Sequence, residues 1–419
     1  MPIRYVAKLG TGHTPSRQKP EYWTDCDVPW VTLADVWQLR DGTLHHVHDT
    51  KEKISKLGLA NSSAVRHSAG TVILSRTASV GFSAIMGKDM ATSQDFATWT
   101  CNRELDPKFL LYVLRAMAPD LRRVAAGSTH KTVYMPDIEE LRTPLPLLDE
   151  QRRIAAFLDA ETARIWGLIG ARQQQLKLLE ERELSRVFNS IAGTEEPGAR
   201  KSSGLRWLGD VPVDWPVLAV STQYEVLLGK MLNQERARGE YLRPYLRNFN
   251  VQWDRIDAED LLYMNFPPNE RSRYEVRPGD LLICEGGQPG RSAIWDGTVS
   301  EIYYQKALHR ARSRGRSSVR WLFYCLRAAT ALDVFSVEGN STTIGHLTGE
   351  QLRAHRFPFP ERRTQDRLVS QLEEAAEQAK RTGELLASQV ELLAERRQAL
   401  ITAAVTGQID VTAARGVDV

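Results

Sequence analysis

The sequence predicts a mixed α/β (α+β) chain: two pseudo-symmetric globular domains separated by two long antiparallel coiled-coil helices. Three observations carry that expectation. The chain repeats itself, each half opens with short β-type runs punctuated by glycine, and each half closes with a long proline-free stretch of helical character.

The repeat is the strongest signal. LDPKFLLYVLRA at 105–116 matches SSVRWLFYCLRA at 317–328, with Tyr112, Leu114, Arg115 and Ala116 recurring as Tyr324, Leu326, Arg327 and Ala328 at an offset of 212. The same offset carries Gly127 onto Gly339. It becomes 214 where Pro144 and Pro146 meet Pro358 and Pro360, a change that a two-residue difference in loop length explains. The offset of 214 then holds through Gln151 and Gln365, Leu179 and Leu393, and Arg182 and Arg396 to Gly193 and Gly407.

In each half the first elements are strands joined by tight turns: AGTVILSRTASVGFSAI in one and PGDLLICEGGQPGRSAIW in the other. A helical stretch and a Gly, Ser and Thr-rich loop follow, then PLP or PFP stops any continuing structure. A long helix comes next. The expected boundaries are a first domain at 1–145, a helix at 146–192, a linker at 193–204, a second domain at 205–357, a helix at 358–407 and a tail at 408–419. Each helix would run about 60 Å at 1.5 Å per residue.

In the second helix Leu368, Leu372, Ala375, Ala379, Thr382, Leu386, Gln389, Leu393, Arg396 and Leu400 alternate at spacings of four and three, a heptad pattern. Its counterpart in the first helix is Ile154, Leu158, Glu161, Ile165, Leu168, Arg172, Gln175, Leu179, Arg182 and Arg186, where polar members weaken the seam. A neighbouring register through Leu385 and Leu392 is nearly as regular. Two independent amphipathic helices are the plainer alternative.

With 419 residues the chain has room for two or three domains, and 42% hydrophobic with 26% charged residues describes a globular protein. No run of about 18 apolar residues occurs, so no membrane span is expected. MPIRYVAKLG lacks the apolar core of a secretory signal, and the cytoplasm is the expected compartment. Cys26, Cys101, Cys284 and Cys325 are scattered without a CxxC pair and read as reduced thiols. The net charge of +3 identifies no partner. Locally, however, no carboxylate lies between Glu301 and Asp333, while Lys306, Arg310, Arg312, Arg314, Arg316, Arg320 and Arg327 all do. That makes one strongly positive segment, or a solvated loop before a helix.

The order of parts resembles the specificity subunits of Type I restriction-modification systems. In the first half the resembling segments are TPSRQKPEYW, VPWVTLADV, TKEKISKLGLANSSA, GTVILSRTASVG, TSQDFA and GSTHKTVYMPDI. In the second they are SSGLRWLGDVPVDW, RPYLRNFNVQW, GDLLICEGGQPGRSAIW and GNSTTIGHLT, before a helix ending LLAERRQALITAAVTGQID. RWLGDVPVDW has no counterpart before Met1, so the first half starts later in the shared pattern than the second. The resemblance implies two target-recognition domains reading a bipartite, asymmetric sequence in double-stranded DNA. It also implies assembly with a methyltransferase subunit, usually in two copies, and with a restriction-translocase subunit; those partners would carry out adenine methylation and cleavage.

Rival chemistry is poorly supported. A stand-alone adenine methyltransferase would need an Asn/Asp-Pro-Pro-aromatic turn, and in NFPPN Phe266 separates Asn265 from the prolines, with no glycine-rich cofactor turn nearby. CEGGQPGRS is not a phosphate loop, since GxxxxGK[ST] is absent. HHVH at 45–48 lacks the companion ligands of a metal site. No catalytic, cofactor-binding or metal residue is assigned. A coiled-coil scaffold that does not bind DNA would account for the helices but not for the duplicated polar loops.

DNA reading accounts for both. Groove edges call for Arg or Lys at guanine, Asn or Gln at adenine, and Ser or Thr at either. The first half offers Arg76, Gln94, Lys131 and Thr132. The second offers Arg247, Asn248, Gln288, Arg291, Gln305, Lys306, Ser341 and Thr343, with Arg310, Arg312, Arg314 and Arg316 as phosphate-facing candidates. Each has a structural alternative as a cap or turn residue.

Overall fold

Strands form where β-branched and aromatic residues lie between glycines, and they are buried on both faces, as in Val72–Ser75 and Leu281–Cys284. The computed structural model describes residues 1–127, 131–232, 238–337 and 346–411. The chain divides into two units, Met1–Gln174 with the described part of Leu386–Val419, and Gln175–Leu385.

In the first unit a five-stranded sheet has the order Ala7–Thr11, Phe96–Cys101, Val72–Ser75, Ser83–Met86, His46–Val47. The first three pairings are antiparallel and the last is parallel. Helix α1 (Pro107–Ala126) starts at Asp106, whose carboxylate accepts from the N–H groups of Lys108 and Phe109 at 2.9 and 3.2 Å. It covers the sheet with Phe109, Leu110, Val113 and Leu114, joined by Ile154, Ala155 and Leu158 of the long helix α2 (Leu148–Ala192). A smaller sheet runs Glu52–Ile54, Val28–Val31, Ala91–Thr92.

The second unit repeats this plan. Its main sheet has the order Tyr224–Leu228, Leu308–Ser313, Leu281–Cys284, Ser292–Ile294, beneath helix α3 (Val319–Ala331). Its second sheet also contains a parallel pairing, Tyr245 with Tyr303, matching Trp30 with Ala91 in the first unit. The likeness extends to close backbone approaches. A Cβ on Gly12 would lie 1.9 Å from the Thr92 carbonyl oxygen, and one on Gly229 would lie 2.2 Å from that of Gln305, so only glycine fits either place.

Helix α2 has 45 residues and α4 (Arg362–Val405) has 44. Within each unit they run antiparallel. In the first unit Trp166 meets Arg397, the guanidinium lying 4.4 Å from the ring centre, while Ile154 shares a core with Ile401 and Ala404. In the second unit Leu179 and Arg186 lie along Ala375, Ala379 and Thr382. The seam departs from the expected one at alternate positions. Leu372, Ala379, Leu386 and Leu393 face inward as expected, and Leu385 and Leu392 are left 66% and 60% exposed. Gly383, Val390 and Arg397 turn inward in place of Thr382, Gln389 and Arg396. In α2, Ile169, Leu176 and Glu183 likewise replace Leu168, Gln175 and Arg182. The inward set is thus a regular heptad one residue later at every second position, and it brings Leu176 and Val390 into the seam, where the expected set had Gln175 and Gln389.

Candidate nucleic-acid interface

In the first unit three strand ends converge, and their loops hold one another through backbone hydrogen bonds. Arg76, just past Val72–Ser75, donates its N–H to the Asp95 carbonyl at 2.8 Å, and its own carbonyl accepts from Val133 N–H at 2.9 Å. Ala78 N–H donates to the Lys131 carbonyl at 3.1 Å, and Thr77 bridges Thr132. Arg76, Gln94, Lys131 and Thr132 are therefore brought together at one end of the sheet. Ala78 and Lys131 have φ of 57° and 46°. Such left-handed conformations cost non-glycine residues about 1–3 kcal/mol and concentrate at functional loops. Lys131 and Gln94 are exposed, whereas Arg76 is half-buried and Thr132 buried. The Gln94 Oε1 accepts from Thr14 Oγ1 at 2.7 Å.

The second unit builds the same loop junction with different side chains. Glu285 N–H donates to the Ala307 carbonyl at 3.0 Å, and the Glu285 carbonyl accepts from Leu347 N–H at 2.7 Å. Around it, Asn248 Nδ2 donates to the Gly286 carbonyl at 2.8 Å, and Arg291 donates to Asn248 Oδ1 at 3.0 Å. Gln305 N–H donates to the Leu246 carbonyl at 3.1 Å and Lys306 N–H to the Lys230 carbonyl at 2.9 Å. Asn248, Gln288, Arg291, Gln305 and Lys306 thus share one sheet end, with Gln288 and Lys306 exposed. Arg247 stands beside them, paired with Asp260 at 3.0 Å. Ser341 and Thr343 lie outside the described residues.

The basic segment is not one surface. Arg310 is 1% exposed, pairs with Glu225 at 3.0 Å and donates to the Glu275 carbonyl at 2.6 Å, which makes it a strut of the core. Arg312 holds both oxygens of Asp280 at 2.7 and 2.6 Å. Arg320 pairs with Asp254 and Glu373, and Arg327 with Glu183. Arg314 and Arg316 are exposed, but they follow the far end of Leu308–Ser313 from Gln305 and Lys306. That six-residue strand places them about 20 Å away at about 3.3 Å per residue. The reason is topological: the carboxylates missing from the local sequence arrive from other strands, turns and the long helices.

Two further residues at these sheet ends escaped the sequence reading. Thr14 precedes the part of the first half where the repeat is recognisable. His346 is exposed and flanks the second junction, its Nδ1 3.0 Å from where a Cβ on Gly286 would lie. Its place in GNSTTIGHLT, the segment that also holds Ser341 and Thr343, was a usable signal.

The motifs set aside in the sequence have structural roles. Asn265 Oδ1 accepts from Tyr241 N–H at 3.0 Å, and Phe266 stacks on Tyr303 with ring centres 4.3 Å apart. CEGGQPGRS forms the turn between Leu281–Cys284 and Ser292–Ile294. His45 lies 3.4 Å from Asp159 and 3.4 Å from Tyr112 Oη, and burial pushes it down to about 4. Among the described residues no three His, Cys, Asp or Glu side chains stand close enough to hold a metal ion, and no helix is long and apolar enough to cross a membrane.

The arrangement presents amide, guanidinium, ammonium and hydroxyl groups on loops fixed by rigid strands. It offers donors suited to phosphate oxygens and amides suited to base edges.

Known proteins resemble both the sequence and the fold. Residues 1–178 match the family model of the Type I restriction modification DNA specificity domain. The specificity subunit of the Type I restriction enzyme MjaIX of Methanocaldococcus jannaschii is 25% identical over 181 residues, 43% of this chain and 40% of that one. That of EcoprrI from Escherichia coli is 25% identical over 172 residues, 39% of this chain and 40% of the other. The matched region therefore spans about two fifths of each of these relatives. The crystal structure of the HsdS subunit from Thermoanaerobacter tengcongensis superposes with a TM-score of 0.56 at 19% identity, covering 98% of this chain and 96% of that one. A chain from a structure describing complex assembly and conformational transition of the type I R-M system reaches 0.73 at 20% identity, covering 98% and 97%. These likenesses establish the fold along the length of the chain.

Proposed function

We propose that this chain, whose residues 1–178 belong to the Type I restriction modification DNA specificity domain family, reads a bipartite, asymmetric DNA sequence for a Type I restriction-modification complex. One observation carries the reading. The junction made by Arg76, Asp95 and Val133 recurs as Glu285, Ala307 and Leu347, so one backbone device presents two different sets of side chains. A common scaffold with unlike loops suits two unlike half-sites. Residues 1–145 would read one part and 205–357 the other, in the 5′ and 3′ order that the family resemblance implies.

Exposed Lys131 and Lys306 are suited to phosphates, and Gln94, Gln288 and Asn248 to base edges. Arg76 and Arg291 would have to turn outward from their half-buried positions, and Arg314 and Arg316 would serve a separate stretch of backbone. Arg310 and Arg312 leave the candidate interface and support the sheet instead. In this reading the chain performs no catalysis. A methyltransferase subunit, in two copies, and a restriction-translocase subunit bind it in the cytoplasm and supply adenine methylation and cleavage.

The test is selection from random duplex DNA by the chain assembled with its methyltransferase subunit. Enrichment of two short, unlike sequences at fixed separation is expected. Enrichment of one contiguous or palindromic sequence, or of none, would refute the reading.

A further inference from the structure

The first unit holds a basic pocket lined by none of the candidate DNA-reading residues. It is a cavity of about 140 Å³ whose lining includes Arg40, Arg115, Arg122, Arg397 and Ser83. That is many times the roughly 10–15 Å³ that one water needs. Asp41 is the one carboxylate in the lining, and its Oδ1 already accepts from the Thr43 N–H at 2.9 Å and the Thr43 hydroxyl at 2.8 Å.

The arginines are anchored by carbonyls rather than by acids. Arg115 donates to the Leu44 carbonyl at 2.8 Å, Arg122 to that of Val80 at 3.2 Å and Arg397 to that of Asp41 at 2.8 Å. A guanidinium has five N–H donors, so each keeps several to spare. Among the described residues no carboxylate is within ion-pairing distance of Arg115, Arg122 or Arg397. Burial draws the Arg115 guanidinium down to about 10, and the charge of Arg397 adds to that pull. Two further observations point to a missing acceptor. Ser83 is 4% exposed and, among the described residues, its hydroxyl has no hydrogen-bond partner and neither has the buried Nε of Arg397.

The second unit supplies an internal control. Arg115 recurs as Arg327 at the offset of 212, and Arg397 corresponds to Glu183 at the offset of 214. There the arginine and the glutamate pair at 2.8 Å. In the first unit the carboxylate has been replaced by a second guanidinium, so the same place holds two like charges around a cavity. Like charges in a half-buried site repel unless an anion stands between them, and planar guanidinium forks match phosphoryl oxygens. We propose that this pocket binds a tetrahedral phosphoryl oxyanion, held by Arg115, Arg122 and Arg397 with the Ser83 hydroxyl as a neutral donor.

The site stands independently of the DNA-reading proposal, although a phosphoryl group could come from free phosphate or from a DNA backbone. The experiment titrates inorganic phosphate into the full chain by calorimetry, at ionic strength held constant with chloride. Saturable binding is expected. Arg397→Glu restores the pair found in the second unit, so it should fold and melt at or above the wild-type temperature while binding phosphate at least tenfold more weakly. Ser83→Ala should bind several-fold more weakly. A short duplex of arbitrary sequence then separates the sources. If the pocket serves a DNA backbone, the duplex competes with phosphate, and Arg397→Glu lowers the salt slope of DNA binding by about 1. If it serves the free anion, the duplex leaves phosphate affinity unchanged. Absence of saturable binding by the wild type, or equal binding by Arg397→Glu, overturns the proposal.

Discussion

Gln151 accepts a hydrogen bond from the Asp106 N–H at 2.8 Å, tying the start of helix α2 to the N-cap of α1, and it is fully buried. Its amide nitrogen donates to the Pro146 carbonyl at 2.9 Å. Gln365 does the same in the second unit, accepting from Ser318 N–H at 2.9 Å and donating to the Pro360 carbonyl at 2.7 Å. A single amide thus satisfies an orphan donor at a helix start and a carbonyl of the proline turn. Replacing either by leucine keeps most of the volume but strands buried polar groups, at about 1–3 kcal/mol for each group left unsatisfied. Urea unfolding should show a loss of that size for Gln151→Leu and for Gln365→Leu. A change under about 0.5 kcal/mol would mean that water replaces the amide.

The buried arginine and the exposed ones should behave oppositely. Arg310→Met removes the partner of Glu225 and leaves the Glu275 carbonyl without its donor, so a cost of about 1–3 kcal/mol is expected, moderated because Glu225 is half-exposed. Arg314→Gln with Arg316→Gln should stay within about 0.5 kcal/mol of the parent. Thermal unfolding distinguishes the two, and a destabilised double variant would place those arginines in the core instead.

Acid should destabilise both units. Burial pushes His45 and His355 down to about 4 from an ordinary value near 6.5. Between those values the unfolded chain binds protons that the folded chain refuses, so stability falls as pH drops from about 6.5 to about 4. One pKa unit corresponds to about 1.4 kcal/mol, which puts each contribution on the order of 3 kcal/mol. His355, wedged between Phe335 and Phe357 at 5.2 and 4.6 Å, is the simpler probe. Melting temperatures of His355→Phe should fall less steeply over that range than those of the parent. Parallel curves would assign the acid sensitivity elsewhere.

The two-fold plan was legible because recurring residues such as Gln151 and Gln365 hold equivalent places, and their offset survives one change of loop length. Arg310 was illegible for the opposite reason: its partner Glu225 lies 85 residues away, joined only when Tyr224–Leu228 pairs with Leu308–Ser313. The helix seam was half legible. Leucines at 372, 386 and 393 fixed one stripe, but whether Thr382 or Gly383 turned inward depended on Leu176 and Leu179 of the other helix, which lie 3.8 and 3.9 Å from where a Cβ on Gly383 would be. At the loop junctions composition named donors but could not separate exposed Lys131 from buried Thr132.

Charge removal and amide removal should separate affinity from specificity. Lys131→Ala and Lys306→Ala, if these side chains meet phosphates, should weaken binding to every sequence and lower the salt slope by about 1 each. Gln94→Ala and Gln288→Ala, if they meet base edges, should cost about 1–3 kcal/mol on the preferred sequence and little on others. Binding of the assembled complex to matched and mismatched duplexes across a salt series checks both. A uniform loss from the glutamine variants would remove them from base reading.

The most direct measurement of the central claim is a map of methylated adenines in cells that carry this chain with its methyltransferase subunit, compared with cells carrying Gln94→Ala or Gln288→Ala. The account predicts a split, asymmetric sequence, with one half relaxed by Gln94→Ala and the other half relaxed by Gln288→Ala. Relaxation of the same half by both variants, or a methylated sequence that persists when the chain is deleted, would contradict it.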